Sequence, residues 1–168
     1  YGLGTGAFHP ATTVAAGHEP RALATGDLNS DGWPDVVVAN RSVDAVSVLL
    51  SDQTGGLLPR DAYPAGDAPR SIALADVDGD GALDVLTANA AGDSISVLRG
   101  AGDGTLLPTI HSAGVDSPLG VAVADLNRDG LPDVATAETL GHRLALMLGD
   151  GAGGFSVAMR VPAGLDPL

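Results

Sequence analysis

A nine-residue acidic segment recurs through this chain at a fixed interval. Asp27-Leu-Asn-Ser-Asp-Gly-Trp-Pro-Asp35 returns as Asp76-Val-Asp-Gly-Asp-Gly-Ala-Leu-Asp84 and as Asp125-Leu-Asn-Arg-Asp-Gly-Leu-Pro-Asp133, each 49 residues after the last. Strict internal periodicity restricts the architecture more than any other feature. Each period must be one small structural unit, and the units must bury their apolar faces against their neighbours.

The flanks of the three segments match in order. Before each lies a short apolar stretch: Arg21–Thr25, Ser71–Ala75 and Gly120–Ala124. After each comes a second run at Val36–Ala39, Val85–Ala88 or Val134–Ala137, and then a third at Ala45–Leu50, Ser94–Leu98 or Leu144–Leu148. A Gly-rich turn leads to a fourth segment, Leu57–Ala65, Leu106–Ala113 or Phe155–Ala163. Runs this short, aliphatic and bounded by Gly, Pro, Asn and Asp are strands, and none keeps a helical period. Four strands in about 49 residues is the size of one β-propeller blade. The expected fold is all-β, with three four-stranded antiparallel blades at residues 18–66, 67–114 and 115–164. Small inner strands such as Ala122-Val-Ala124 suit a crowded central channel.

The ends cut the period. Phe8–Gly17 matches a fourth strand without its partners, so residues 1–17 read as an orphan outer strand of a preceding blade, and 165–168 as the start of a further repeat. Closed propellers need four to eight blades. The expectation is therefore a partial propeller, either part of a longer chain or a subunit that self-associates by lending its orphan strand. The start at Tyr1 reads as a mature or excised product.

The loop chemistry follows from spacing. Oxygen-bearing side chains stand at positions one, three, five and nine: Asp27, Asn29, Asp31 and Asp35; Asp76, Asp78, Asp80 and Asp84; Asp125, Asn127, Asp129 and Asp133. Alternate spacing lets a tight turn aim them at one point. Gly32, Gly81 and Gly130 at position six permit the positive φ of the turn. Position seven, Trp33, Ala82 or Leu131, supplies a backbone carbonyl. Hard oxygen donors without His or Cys select Ca²⁺ over zinc or copper, and the donor number favours it over Mg²⁺. The alternative is three acidic Asx turns without metal. Three loops in strict register, holding ten of the 21 acidic residues, favour the metal, and three Ca²⁺ sites are expected. The second loop has four carboxylates against three in the others, so it is expected to bind tightest, subject to rigidity. Position twelve carries Val38, Thr87 or Thr136 rather than Glu, so these are not EF-hands.

Composition excludes several classes. The chain has no Lys and a net charge of −13, which argues against nucleic acid and anionic membranes. Absence of Cys removes disulfides and thiolate chemistry. No apolar run reaches the ~18 residues of a membrane span. The four His form no metal-binding spacing, and no nucleophile elbow or phosphate-cradling loop occurs. Trp33 could stack on a sugar, but its place inside an acidic loop reads better as packing.

The pattern D-x-[DN]-x-D-G-x-x-D followed by an apolar strand, every 49 residues or so, resembles the FG-GAP/VCBS repeats found in integrin α-subunits and many secreted bacterial proteins. The resemblance implies four-stranded blades, often seven per propeller, with Ca²⁺ between the first two strands. Gly153-Gly-Phe155 and Pro162-Ala-Gly164 echo the signature that names the family. The expected function is a non-catalytic, Ca²⁺-stabilised scaffold or binding module, extracellular or periplasmic, with a protein or glycan partner. The alternatives are a structural subunit closed by strand exchange and an accessory domain of a secreted hydrolase or lyase.

Overall fold

The computed structural model describes residues 13–164. The expected N-terminal strand lies outside the described residues except for 13–17, which carry no regular structure. The start of a further repeat at 165–168 also lies outside them.

Twelve strands form three four-stranded antiparallel sheets. The first holds β1 (Pro20–Gly26), β2 (Asp35–Asn40), β3 (Ala45–Ser51) and β4 (Leu57–Pro64). The second holds β5 (Pro69–Ala75), β6 (Asp84–Asn89), β7 (Ser94–Leu98) and β8 (Ile110–Ala113). The third holds β9 (Pro118–Ala124), β10 (Asp133–Glu138), β11 (Arg143–Gly149) and β12 (Phe155–Pro162). In each, the strands pair in chain order, and none of the sheets closes on itself. The acidic loops join the first strand of each sheet to the second.

The expected four-strand unit is thus present three times, and the strand ends extend by a residue or two. The largest difference lies in the second unit. Its fourth segment starts as a single bridge between Gly100 and Leu106, and regular pairing begins only at Ile110. Pro108, which has no N–H to give to a ladder, lies between.

The sheets stack through two apolar clusters. One joins Leu28, Val37, Ala39, Val46 and Val48 of the first unit to Ile72, Val85, Leu98 and Leu106 of the second. The other joins Leu86, Ala88, Ile95 and Val97 to Val115, Val134, Ala145, Met147 and Phe155 of the third unit. Successive side chains along a strand face opposite ways. The second sheet therefore serves both clusters: Val85 and Leu98 face one neighbour, Leu86 and Val97 the other. That is why β6 and β7 are apolar on both faces and buried throughout.

Polar pins align the stack. Asp44 and Asp93, both at positive φ after a second strand, accept the backbone N–H of Ala68 and Ser117 in the next unit, each at 2.8 Å. Gly104 donates its N–H to the carbonyl of Leu28 at 3.0 Å.

The stack's outer faces stay open. Val46 and Ile95 are fully buried by the following sheet, but Leu144, in the same place of the third, is 40% exposed. Leu126 is exposed where Leu28 and Val77 are buried, and Leu23 of the first sheet is exposed where Ile72 is buried.

At the end of β10, the buried Glu138 gathers Arg143 Nε at 2.7 Å, Arg160 Nε at 3.1 Å and the Asp116 N–H at 2.9 Å. Burial raises its pKa. Arg160, the Asp116 N–H and Arg143 together outweigh that and hold the carboxyl below the ordinary 4.5. A carboxylate lowered in the folded state gives stability that is full above its unfolded pKa and lost as pH falls through the folded value. Glu138→Gln should therefore cost about 2–3 kcal/mol at neutral pH. Chemical denaturation across a pH series should show wild type and variant converging below pH 4.5. A gap that stays constant with pH would contradict this.

Candidate metal centre

The three acidic loops share one hydrogen-bonding scheme. The position-one carboxylate collects the N–H of position six: Gly32 to Asp27 Oδ2 at 2.9 Å, Gly81 to Asp76 Oδ2 at 3.0 Å, and Gly130 to Asp125 Oδ2 at 3.1 Å. Its other oxygen accepts a second N–H, from Asp31, Gly79 or Arg128. The position-three oxygen accepts the N–H of position five, and position five accepts that of position seven, at 2.8 Å from Trp33 and Ala82 and 2.9 Å from Leu131. The chain is wound around its own carboxylates, and the wound loop needs positive φ at position six, which Gly supplies.

The ninth position is different. Asp35, Asp84 and Asp133 are each fully buried. One oxygen of each accepts the N–H of loop position two: Leu28, Val77 or Leu126, at 2.8–2.9 Å. The other accepts an N–H at the end of the third strand: Ser51 at 2.8 Å, Gly100 at 2.8 Å or Gly149 at 3.1 Å. Each carboxylate thus ties its loop to a strand 16 residues further on. Gly100 and Gly149 fit here because a Cβ would lie 2.3 Å and 2.2 Å from the carbonyl oxygens of Leu83 and Pro132.

Charge crowds the second loop most. One carboxylate oxygen from each of Asp76, Asp78 and Asp84 lies within 4.8 Å of the others. Burial, and then the charges of Asp78 and Asp80, push the Asp84 carboxyl up against the pull of its two N–H donors. In the first and third loops the donors win at position five. The Trp33 N–H, with Asn29 and Gln53, lowers Asp31, and the Leu131 N–H, with Asn127, lowers Asp129.

The fifteen expected site residues therefore lie in three separate loops. Asp80 stands apart from the tight second-loop trio. Trp33, read as a packing residue, is 46% exposed at the crest of its loop. Three features escaped the sequence reading. The double backbone grip of the ninth aspartate joins residues far apart in sequence. Position four is also left-handed, at Ser30, Gly79 and Arg128, and neither Ser nor Arg signals that. Arg99 Nη1 lies 3.2 Å from Asp78 Oδ2, an ion pair with no counterpart in the other loops among the described residues. The residue before Gly100 was a visible cation, but only the fold places it over the loop.

Three stacked sheets, each opened by the same acidic strand-to-strand loop, define a protein built of acidic-loop β-repeats. The FG-GAP-like repeat model matches residues 27–87 and 76–136, and the chain belongs to that family. No curated protein sequence matches it. Among solved structures, a functionally unknown protein from Desulfotomaculum acetoxidans is similar at 19% identity and a TM-score of 0.64, over 84% of this chain and 42% of that one. The BBS1N domain, solved in complex with ARL6DN, is similar at 12% identity and 0.55, over 88% and 44%. An Agrocybe aegerita protein, solved for its recognition of non-reducing terminal N-acetylglucosamine, is similar at 22% identity and 0.53, over 86% and 38%. The chain spans about two fifths of the length of these structures.

Asp84→Ala should strip the partner from two buried N–H groups. Each such orphan costs about 1–3 kcal/mol, so a loss of about 2–5 kcal/mol is expected in chelator. Urea unfolding measures it. A loss below 1 kcal/mol would show that the ninth aspartate does not pin the sheet.

Proposed function

We propose that this chain is a segment of a Ca²⁺-stabilised β-propeller. Its units 18–66, 67–114 and 115–164 would be blades, and it would act outside the cell or in the periplasm as a non-catalytic scaffold or binding module. The observation that carries this reading is the shared geometry of the three loops. In each, positions one, three, five and nine carry side-chain oxygens on a turn wound by backbone N–H bonds, position seven would add its carbonyl, and in the second loop oxygens of Asp76, Asp78 and Asp84 lie within 4.8 Å of one another.

The donor set fits the ion. Asp27, Asn29, Asp31, Asp35 and the Trp33 carbonyl would hold the first Ca²⁺. Asp76, Asp78, Asp80, Asp84 and the Ala82 carbonyl would hold the second, and Asp125, Asn127, Asp129, Asp133 and the Leu131 carbonyl the third. Bound Ca²⁺ supplies charge neutralisation. The chain's own part is to wind the loop and to bury the ninth aspartate beneath it. Burial first, and then the charges of Asp78 and Asp80, raise the Asp84 carboxyl, and a bound cation would offset both. Millimolar calcium outside cells can fill even weak sites. Protein or glycan partners fit a module of this kind. Proteins of similar fold include one that recognises N-acetylglucosamine and one solved with a protein partner.

Calcium titration tests the site. Calorimetry should find three ions per chain, and each of Asp27→Ala, Asp76→Ala and Asp125→Ala should remove one. Each filled site should add about 2.7 kcal/mol of stability at a free calcium level 100-fold above its Kd. Absence of binding heat together with an unchanged melting temperature would refute the reading.

A second reading, assembly, is favoured by the open faces at Leu23, Leu126 and Leu144. Exposed apolar sheet faces of this kind seek a partner. Light scattering should give a mass above the 16.6 kDa of one chain, rising with concentration, and Leu144→Asp should reduce it. A constant mass of one chain at every concentration would refute self-association.

A further inference from the structure

We propose that Arg99 is a resident counter-cation of the second acidic loop: it neutralises Asp78 in the metal-free chain and weakens that loop's hold on Ca²⁺. The inference rests on the calcium reading above and concerns the regulation of that same site.

Position matching across the repeats carries it. Position three of the loop and the residue at the end of the third strand form the pairs Asn29 with Leu50, Asp78 with Arg99, and Asn127 with Leu148. The extra carboxylate and the cation occur together in one repeat, and neither occurs at these two positions in the others. The neutral members behave differently. Asn29 and Asn127 turn their amide nitrogens onto the position-five carboxylates, at 3.1 Å from Asp31 and 2.8 Å from Asp129. Asp78 cannot donate. One of its oxygens takes the Asp80 N–H and the other takes Arg99.

Arg99 is held for this task. Its carbonyl accepts the Leu107 N–H at 2.7 Å, and its neighbour Gly100 donates to Asp84. The backbone that carries the guanidinium is thus pinned to the loop it serves. The side chain is 37% exposed, Asp78 is 11% exposed, and Asp78 is the one carboxylate that Arg99 reaches among the described residues. Arg99 Nε is buried with no acceptor, so the guanidinium gains little from its surroundings except this ion pair.

The electrostatic consequence has one sign. With Arg99 counted, the second loop carries a net −3, the same as the first, while the third, with Arg128 in its own turn, carries −2, so the fourth carboxylate gives the second loop no advantage over the first for a cation. A fixed positive charge beside an incoming divalent ion repels it, and at about 6 Å in a watery dielectric the effect is roughly tenfold in affinity. Without metal the same charge relieves the crowding of Asp76, Asp78 and Asp84. The loop can then keep its form when calcium is absent.

The test compares wild type, Arg99→Leu, Asp78→Asn and the double variant Asp78→Asn/Arg99→Leu, which recreates the pairing of the other repeats. Each is titrated with calcium chloride by calorimetry and melted in chelator. Arg99→Leu should bind at the second loop roughly tenfold more tightly. It should melt lower than wild type in chelator, and the double variant should recover that loss. If wild type responds to calcium while Arg99→Leu binds no more tightly, or melts no lower in chelator, this proposal fails alone. If none of the four proteins responds to calcium, the calcium reading fails and takes the proposal with it.

Discussion

The buried carboxylate at loop position nine is the interaction on which the repeat turns. Asp35, Asp84 and Asp133 lie at the foot of a tight loop, inside the apolar stack, and each spends both oxygens on backbone N–H groups. A buried charge is costly unless fully hydrogen-bonded. Two N–H donors, one from the loop and one from the end of the third strand, answer that demand in part and set where the loop meets the third strand. The remaining acidic positions of the loop are then gathered above a fixed point. A cluster of like charges is held together by the fold itself.

That local device works because the sheets are stacked. The position-two residues Leu28 and Val77 enter the apolar cluster facing the next sheet, while their N–H groups bind the ninth aspartate. One residue therefore ties the acidic loop to the inter-sheet core. Loosening the stack would unseat the loop, and charge repulsion in the loop would strain the stack. Leu126 makes the same hydrogen bond at 2.9 Å with its side chain exposed, so the bond survives without the packing. The third loop is the least supported of the three.

Much of this was legible in the sequence. The 49-residue period, the strand runs and the oxygen spacing are local patterns, and local patterns survive translation into structure. The apolar runs on both sides of each loop, such as Val36–Ala39, announced strands because they are short, aliphatic and ended by Asn or Glu. What the sequence hid is long-range. Nothing in Asp84 says that it reaches Gly100, and nothing in Arg99 says that it covers Asp78. The left-handed turn at Arg128 is imposed by the loop against that residue's own preference. The short β8 was masked by the similarity of Leu106-Leu-Pro108 to Leu57-Leu-Pro59, which does join a strand.

The repeat also shows which differences between units carry meaning. Each second strand ends in a buried polar hub, and each hub is partnered differently. Asn40 donates to Ser47 at 2.9 Å. Asn89 donates to Ser96 at 2.7 Å, and Ser96 reaches His111 Nδ1 at 2.8 Å. Glu138 has Ala145 at the serine position and takes Arg160 from the histidine position instead. The architecture demands a polar group at that point and does not dictate its identity. Swaps that stay within this demand leave the fold unchanged. Arg99 with Asp78 is a swap of another kind, because it places an ion pair on an acidic loop while the stack around it stays the same. The individuality of one repeat among its copies lies in such pairs, where the backbone needs nothing special and the electrostatics differ.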